Sequence, residues 1–150
     1  MIWSLAGTVV EKSPTFVVLD VQGVSYGLNV SLATSEAIGE AGGCVRIYTR
    51  LFTKEDGLEL FGFATDEERR FFDLLIGIPG VGPKVALRIL SGIDLMRLSQ
   101  AILAGDVSLL TRVPGVGKKI AERLIVELKG QVEKLPVCRG GEREKRTALF

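Results

Sequence analysis

Ile78-Pro79-Gly80-Val81-Gly82-Pro83-Lys84-Val85-Ala86-Leu87-Arg88-Ile89-Leu90 returns 35 residues later as Val113-Pro114-Gly115-Val116-Gly117-Lys118-Lys119-Ile120-Ala121-Glu122-Arg123-Leu124-Ile125. Seven of the thirteen pairs are identical: Pro, Gly, Val, Gly, Lys, Ala and Arg. A repeat of this length marks a duplicated structural unit. Apolar residues recur at helical spacing after each Gly-x-Gly, and an apolar helical segment precedes each copy. Glycine tolerates positive φ and keeps side chains from standing between backbone and ligand. A helix opening at the second glycine points unpaired N–H groups outward at the positive end of its dipole, which suits a phosphate. Lys84 and Lys119 fall in the first turn, with Arg88 and Arg123 one turn later on the same polar face. Val81, Val85, Ala86, Ile89 and Leu90, and their counterparts Val116, Ile120, Ala121, Leu124 and Ile125, turn inward.

This is the pattern of the helix-hairpin-helix, a module that grips phosphates without reading bases. The bland alternative is that Gly-x-Gly only lets two helices pack closely; duplication of the glycines and of both basic positions weighs against it. A nucleotide-binding P-loop does not fit, because Val85 and Ile120 stand where Ser or Thr would follow the lysine. No βαβ unit surrounds the glycines, so a dinucleotide fingerprint does not fit either.

Upstream of the repeat the period is different. Residues 2–11, 15–21, 24–30, 44–53 and 58–63 are short runs rich in Val, Ile, Tyr and Phe. Val24, Tyr26, Leu28 and Val30 alternate with smaller or polar neighbours, as on a half-buried strand. Gln22-Gly23 and Asp56-Gly57 sit at expected hairpin turns. Ser31 to Ile38 opens with a cap and reads as one short helix. Three strands, a helix and two strands is the order of an OB-fold β-barrel. From Thr65-Asp66-Glu67-Glu68 the pattern becomes helical, at 66–76, 83–91, 94–104, 106–112 and 117–134. The expected organisation is thus mixed: an all-β OB-fold barrel over 1–64, then an all-α domain with two tandem helix-hairpin-helix motifs over 65–135. Residues 136–150 read as a charged, glycine-bearing linker ending in a four-residue remnant, Thr147–Phe150.

Charge follows the same division. Residues 1–65 carry 4 basic and 7 acidic side chains, whereas residues 66–150 carry 15 and 11, so a net charge of +1 conceals a basic rear half. The chain has no histidine, which removes the commonest general base and transition-metal ligand and argues against catalysis. No apolar run reaches the ~18 residues of a membrane span. The start, Met1-Ile2-Trp3-Ser4, lacks a secretory pattern, and two separated cysteines suit a cytoplasmic protein. Cys44 is expected to be buried, and Cys138 incidental.

Met1-Ile2, Gly23-Val24-Ser25-Tyr26, Glu55-Asp56-Gly57-Leu58-Glu59-Leu60-Phe61-Gly62-Phe63 and Ala121-Glu122-Arg123-Leu124-Ile125-Val126-Glu127-Leu128-Lys129 sharpen the picture. With the barrel and the tandem hairpins, these stretches resemble the RuvA family across residues 1 to about 134. Its members are the Holliday-junction-binding subunits of the bacterial branch-migration complex, in DNA recombination, repair and the SOS response. The resemblance implies a homotetramer holding a four-way junction open, with hairpins in the minor grooves of the arms. One tetramer or two enclosing the DNA is left open by the sequence.

Carried over by position, the phosphate-binding residues are Gly80, Val81, Gly82, Lys84, Gly115, Val116, Gly117, Lys118, Lys119 and Arg123. An acidic pin at the junction centre maps to Glu55 and Asp56. The resemblance implies no cofactor, no metal and no catalytic residue, and a partner ATPase, RuvB, reached through a helical third domain. RuvC resolvase is a further partner to expect. Only Thr147–Phe150 would remain of that third domain here, so the chain is expected to bind junctions without stimulating branch migration.

Two other classes stay in view. A DNA glycosylase would need a catalytic Asp or Lys beyond the hairpin, facing a pocket for a flipped base; Asp94 and Asp106 are candidates, although helix capping is the simpler role. A nuclease would need a metal-holding cluster, and Glu55 with Asp56 shows no third member. An assembly or RNA-binding module would use barrel aromatics such as Tyr48, Phe52, Phe61 and Phe63 to stack bases, unless these pack the core.

Overall fold

The computed structural model describes residues 1–134, which divide into two compact units, one holding Met1–Arg69 and the other starting at Arg70. The first is built on period-two alternation. β1 (Ser4–Lys12) buries Leu5 and Val9, β2 (Phe16–Val21) buries Val17 and Leu19, and β3 (Val24–Val30) buries Leu28 and Val30. β4 (Cys44–Lys54) adds Ile47 and β5 (Gly57–Phe63) adds Leu60 to the same core. Burying each such aliphatic side chain contributes roughly 1.5–3 kcal/mol before conformational entropy is subtracted.

The strands close into a barrel in the order β1-β2-β3-β5-β4, with β4 returning to β1 through pairs such as Ser4↔Tyr48 and Thr8↔Cys44. All pairings are antiparallel except β3 with β5, which meet at Asn29↔Phe61 and Val30↔Gly62. A parallel pair cannot be joined by a hairpin. Helix α1 (Leu32–Ala37) and the whole of β4 lie between its two strands. Ser31 caps α1 by accepting a 3.1 Å hydrogen bond from the Thr34 amide. This is the five-stranded OB arrangement that the order of sequence runs suggested.

Two expectations about the barrel need correction. The turn between β4 and β5 is made by Glu55 and Asp56, not by Asp56-Gly57. Lys54 pairs with Gly57, which is already the first residue of β5. Its φ of 150° accounts for a glycine there. Cys44 is exposed rather than buried. It opens β4 opposite Thr8, whose Oγ1 lies 3.8 Å from its sulfur, because alternation from buried Ile47 turns the even positions of the strand outward. The linker reading, Cys138 and Thr147–Phe150 lie outside the described residues.

The second unit is helical. α2 (Asp66–Ile76) is followed by α3 (Pro83–Gly92), α4 (Leu95–Ala104), α5 (Val107–Thr111) and α6 (Lys118–Val132). α6 packs on α4 and α5, and Leu124, Leu128 and Val132 are buried, as are Leu98 and Ile102 of α4 and Leu110 of α5. α4 and α5 begin one residue later than the pattern suggested because Asp94 and Asp106 are their caps. The Asp94 carboxylate accepts from the Arg97 amide at 2.9 Å, and that of Asp106 from the Leu109 amide at 3.1 Å. Among the described residues no helix is long and apolar enough to cross a membrane.

The start of α2 is tied to the barrel. Arg69, 5% exposed, forms an ion pair with Asp66 and donates to the Trp3 carbonyl at 3.2 Å. Its guanidinium lies 3.8 Å over the Trp3 ring and 5.5 Å from that of Tyr48. Glu68 is buried and accepts hydrogen bonds from the Ser31 and Thr34 hydroxyls, the latter at 2.7 Å. Thr34 Oγ1 in turn accepts from the Ala64 amide at 3.1 Å. Burial pushes the Glu68 carboxyl above the ordinary carboxylate range, while the two hydroxyls pull it back.

Candidate nucleic-acid interface

The duplicated sequence folds into duplicated geometry, bond for bond. Gly80 and Gly115 have φ of 92° and 91°. The Ile78 amide donates to the Leu75 carbonyl at 3.1 Å, and its counterpart Val113 donates to Leu110 at 3.2 Å. Val81 donates to Ile78 and Val116 to Val113, both at 3.0 Å. Gly82 and Gly117 are the helix caps, at φ −89°, ψ 175° and φ −85°, ψ 175°. Each cap carbonyl accepts the first helical bond, from Ala86 at 3.0 Å and from Ala121 at 2.9 Å.

The two glycines of each loop therefore do different work. Only the first takes the positive φ expected of both. The second is in extended backbone that any residue adopts, and a β-carbon added at Gly82 or Gly117 would meet nothing within 4 Å. The chain's own packing gives no reason for a glycine at either place. An open surface kept free of side chains, twice, is what a ligand approaching the backbone closely requires.

No side chain caps either helix. The amides of Lys84 and Val85 in α3, and of Lys118, Lys119 and Ile120 in α6, are thus first-turn donors without acceptors in their own helices. Pro83 removes one such donor from α3, so α6 has the richer N-terminus. Lys84, Lys118, Lys119 and Arg123 are all exposed around these turns. Val81 and Val116 are only 5% exposed, and their amides are spent on Ile78 and Val113. They shape the loops, and the free donors lie further along.

Glu55 and Asp56 are exposed at the tip of the β4–β5 hairpin. Beside them Lys54 forms an ion pair with Glu59 diagonally across the two strands. Sequence reading passed over this pair, although alternation with a two-residue turn puts positions 54 and 59 on one face. It also passed over Glu68, which nothing in Asp66-Glu67-Glu68 distinguishes from its half-buried neighbours.

The residues of the rival readings are otherwise occupied. Asp94 and Asp106 are spent on capping. Phe61 and Phe63 are 1% and 0% exposed, Phe52 packs edge-on against Phe61, and Tyr48 shares the Arg69 cation with Trp3. No group of three or more His, Cys, Asp or Glu suited to a metal occurs among the described residues.

Fold and site together define a two-module protein, an OB barrel followed by twin helix-hairpin-helix loops with uncapped, sterically open N-termini. Comparison with known proteins agrees on each part. Residues 1–62 match the RuvA N-terminal domain, and residues 72–129 match the SAM-like helix-hairpin-helix tandem. The chain is 50% identical over 135 residues to a protein of Chloroherpeton thalassium, covering 90% of this chain and 68% of that one. A protein of Thioalkalivibrio sulfidiphilus is 46% identical over 91% of this chain and 68% of its own length. One from an Anaeromyxobacter species is 46% identical over 97% and 74%. All three are named Holliday junction branch migration complex subunit RuvA. The chain belongs to the RuvA family.

Proposed function

We propose that this chain is a non-catalytic scaffold that binds four-way DNA junctions by shape and holds them open for branch migration. The observation that carries this reading is the paired vacancy at Gly82 and Gly117, each opening onto uncapped helix amides with exposed lysines in the same turn. Such loops hold phosphates and carry no sequence information. In this reading Gly80, Gly82, Lys84, Gly115, Gly117, Lys118, Lys119 and Arg123 form the grip, shaped by Val81 and Val116.

The work divides between a barrel domain, 1–64, and a hairpin domain, 65–135. Glu55 and Asp56 act as the acidic pin, repelling phosphates crowded at the junction centre; each charge pair is worth about 1 kcal/mol in water and more where water is excluded. Four copies assemble as a homotetramer, singly or as two tetramers enclosing the DNA, in the bacterial cytoplasm. The motor is the partner ATPase RuvB, and RuvC resolvase works on the same junction.

The test is a gel-shift comparison, at one salt concentration, of a four-way junction, its component duplex and its component single strand. Junction binding at least about tenfold tighter than duplex binding is expected. Equal affinities would remove the junction assignment and leave a generic DNA-binding module. Single-strand preference would favour the barrel as the binding surface.

A further inference from the structure

The 35-residue repeat is broken at one pair of side chains. Arg123 forms an ion pair with Glu127 one turn along α6, at 3.8 Å. The position equivalent to Glu127 in the first hairpin is Gly92, so Arg88 has no carboxylate one turn on. Among the described residues Arg88 makes no hydrogen bond or ion pair, and it is exposed. Its guanidinium reaches instead to the loop of the other hairpin. A β-carbon added at Gly115 would lie 3.2 Å from Arg88 Nη1 and 3.6 Å from Val85 Cγ2. The equivalent point on Gly80 meets only the Ile120 side chain, at 3.8 Å, and no charged atom within 4 Å.

We infer that Arg88, carried on the helix of the first hairpin, is a phosphate ligand of the second. The inference rests on the proposed reading that these loops hold DNA phosphates. A guanidinium presents several donors in a fixed planar fork, suited to a phosphate oxygen. Arg88 has no internal partner to lose on binding, whereas Arg123 must give up or share Glu127. An anion on the α6 amides would therefore meet Lys118 and Lys119 from its own hairpin and Arg88 from the other. α3 begins with a proline that donates nothing and receives no such cross-loop cation. The second hairpin becomes the stronger anchor, and the two loops act as one composite site.

The experiment uses the whole chain and its Arg88→Ala and Arg88→Lys variants, titrated with four-way junction DNA at several salt concentrations. Arg88→Ala is expected to lower the slope of log K against log salt by about 1 for each protomer on the DNA, up to about 4 for a tetramer, and to weaken binding by at least about tenfold at low salt. Arg88→Lys, which keeps the charge, should retain most of the slope, and neither variant should shift the unfolding midpoint. Combination with Lys119→Ala should depart from additivity, while combination with Lys84→Ala should be additive. A wild-type slope in Arg88→Ala, or coupling to Lys84 in place of Lys119, overturns the inference while leaving the junction reading intact. Failure of the wild-type chain to bind DNA overturns both.

Discussion

Ile120 covers Gly80 at 3.8 Å from the position of a β-carbon, and its repeat equivalent Val85 covers Gly115 at 3.6 Å. Each hairpin loop is thus closed by a branched aliphatic side chain from the helix of the other, and the two motifs pack reciprocally about an approximate two-fold relation. First and second glycines consequently predict opposite phenotypes. Gly80→Ala forces an L-residue to φ 92° and should destabilise by about 1–2 kcal/mol. Gly82→Ala and Gly117→Ala should lose no more than the small N-cap preference of glycine over alanine, below about 1 kcal/mol, and still weaken DNA binding, because the methyl meets no atom of the chain. Melting curves beside junction titrations separate the two. A Gly82→Ala as destabilised as Gly80→Ala would contradict the open-surface reading.

At the barrel tip, Glu55→Gln with Asp56→Asn removes two exposed charges from a turn that no core contact depends on. Folding should be untouched, and junction affinity should rise by up to about tenfold. Duplex affinity should move far less. Glu59→Gln, which frees Lys54, should shift junction affinity the same way by a smaller factor. Titrations of junction and duplex with both variants check the order.

The buried Glu68 makes stability depend on pH in a stated direction. Its folded carboxyl holds a proton more tightly than the ordinary value of 4.5. Its contribution is therefore full below that value and is lost as pH rises through the raised one. Glu68→Gln has no such titration. The wild type should lose stability relative to the variant as pH rises above 4.5, and urea midpoints of both over a pH series measure it. A constant difference would show that the carboxyl titrates normally.

Arg69→Ala should cost about 2–4 kcal/mol, since it removes a nearly buried cation from Asp66, the Trp3 carbonyl and two aromatic faces. Trp3 is the only tryptophan. Its fluorescence should change with the melting temperature, and an unaltered emission would mean that the stacking contributes little.

The hairpins were legible because local rules and the global fold agree there. Gly-x-Gly, caps at Asp94 and Asp106, and helical periodicity each specify their element without distant partners. The barrel was legible as an order of strands for the same reason. The placement of Cys44 was not, since Val45 and Cys44 are both plausible inward residues until pairing with β1 sets the register. Nor could the glycine pairs be split into one strained and one spatial member, because both roles select the same residue. Glu68, Lys54 with Glu59, and the reach of Arg88 to Gly115 depend on contacts across many residues or across a turn. Spacing can bring such side chains near one another without saying which of them meet.

The bare amides at the heads of α3 and α6 carry a last consequence. A main-chain N–H has no pKa in the working range and belongs to every residue but proline, so exchanging one side chain for another at Lys118 or Lys119 leaves the donor beneath it in place. Such a contact can be obstructed or starved of supporting charge, but it is hard to delete. The grip should therefore persist across wide drift in surface residues, and stay insensitive to acidity, so long as Gly82 and Gly117 keep no side chain at all.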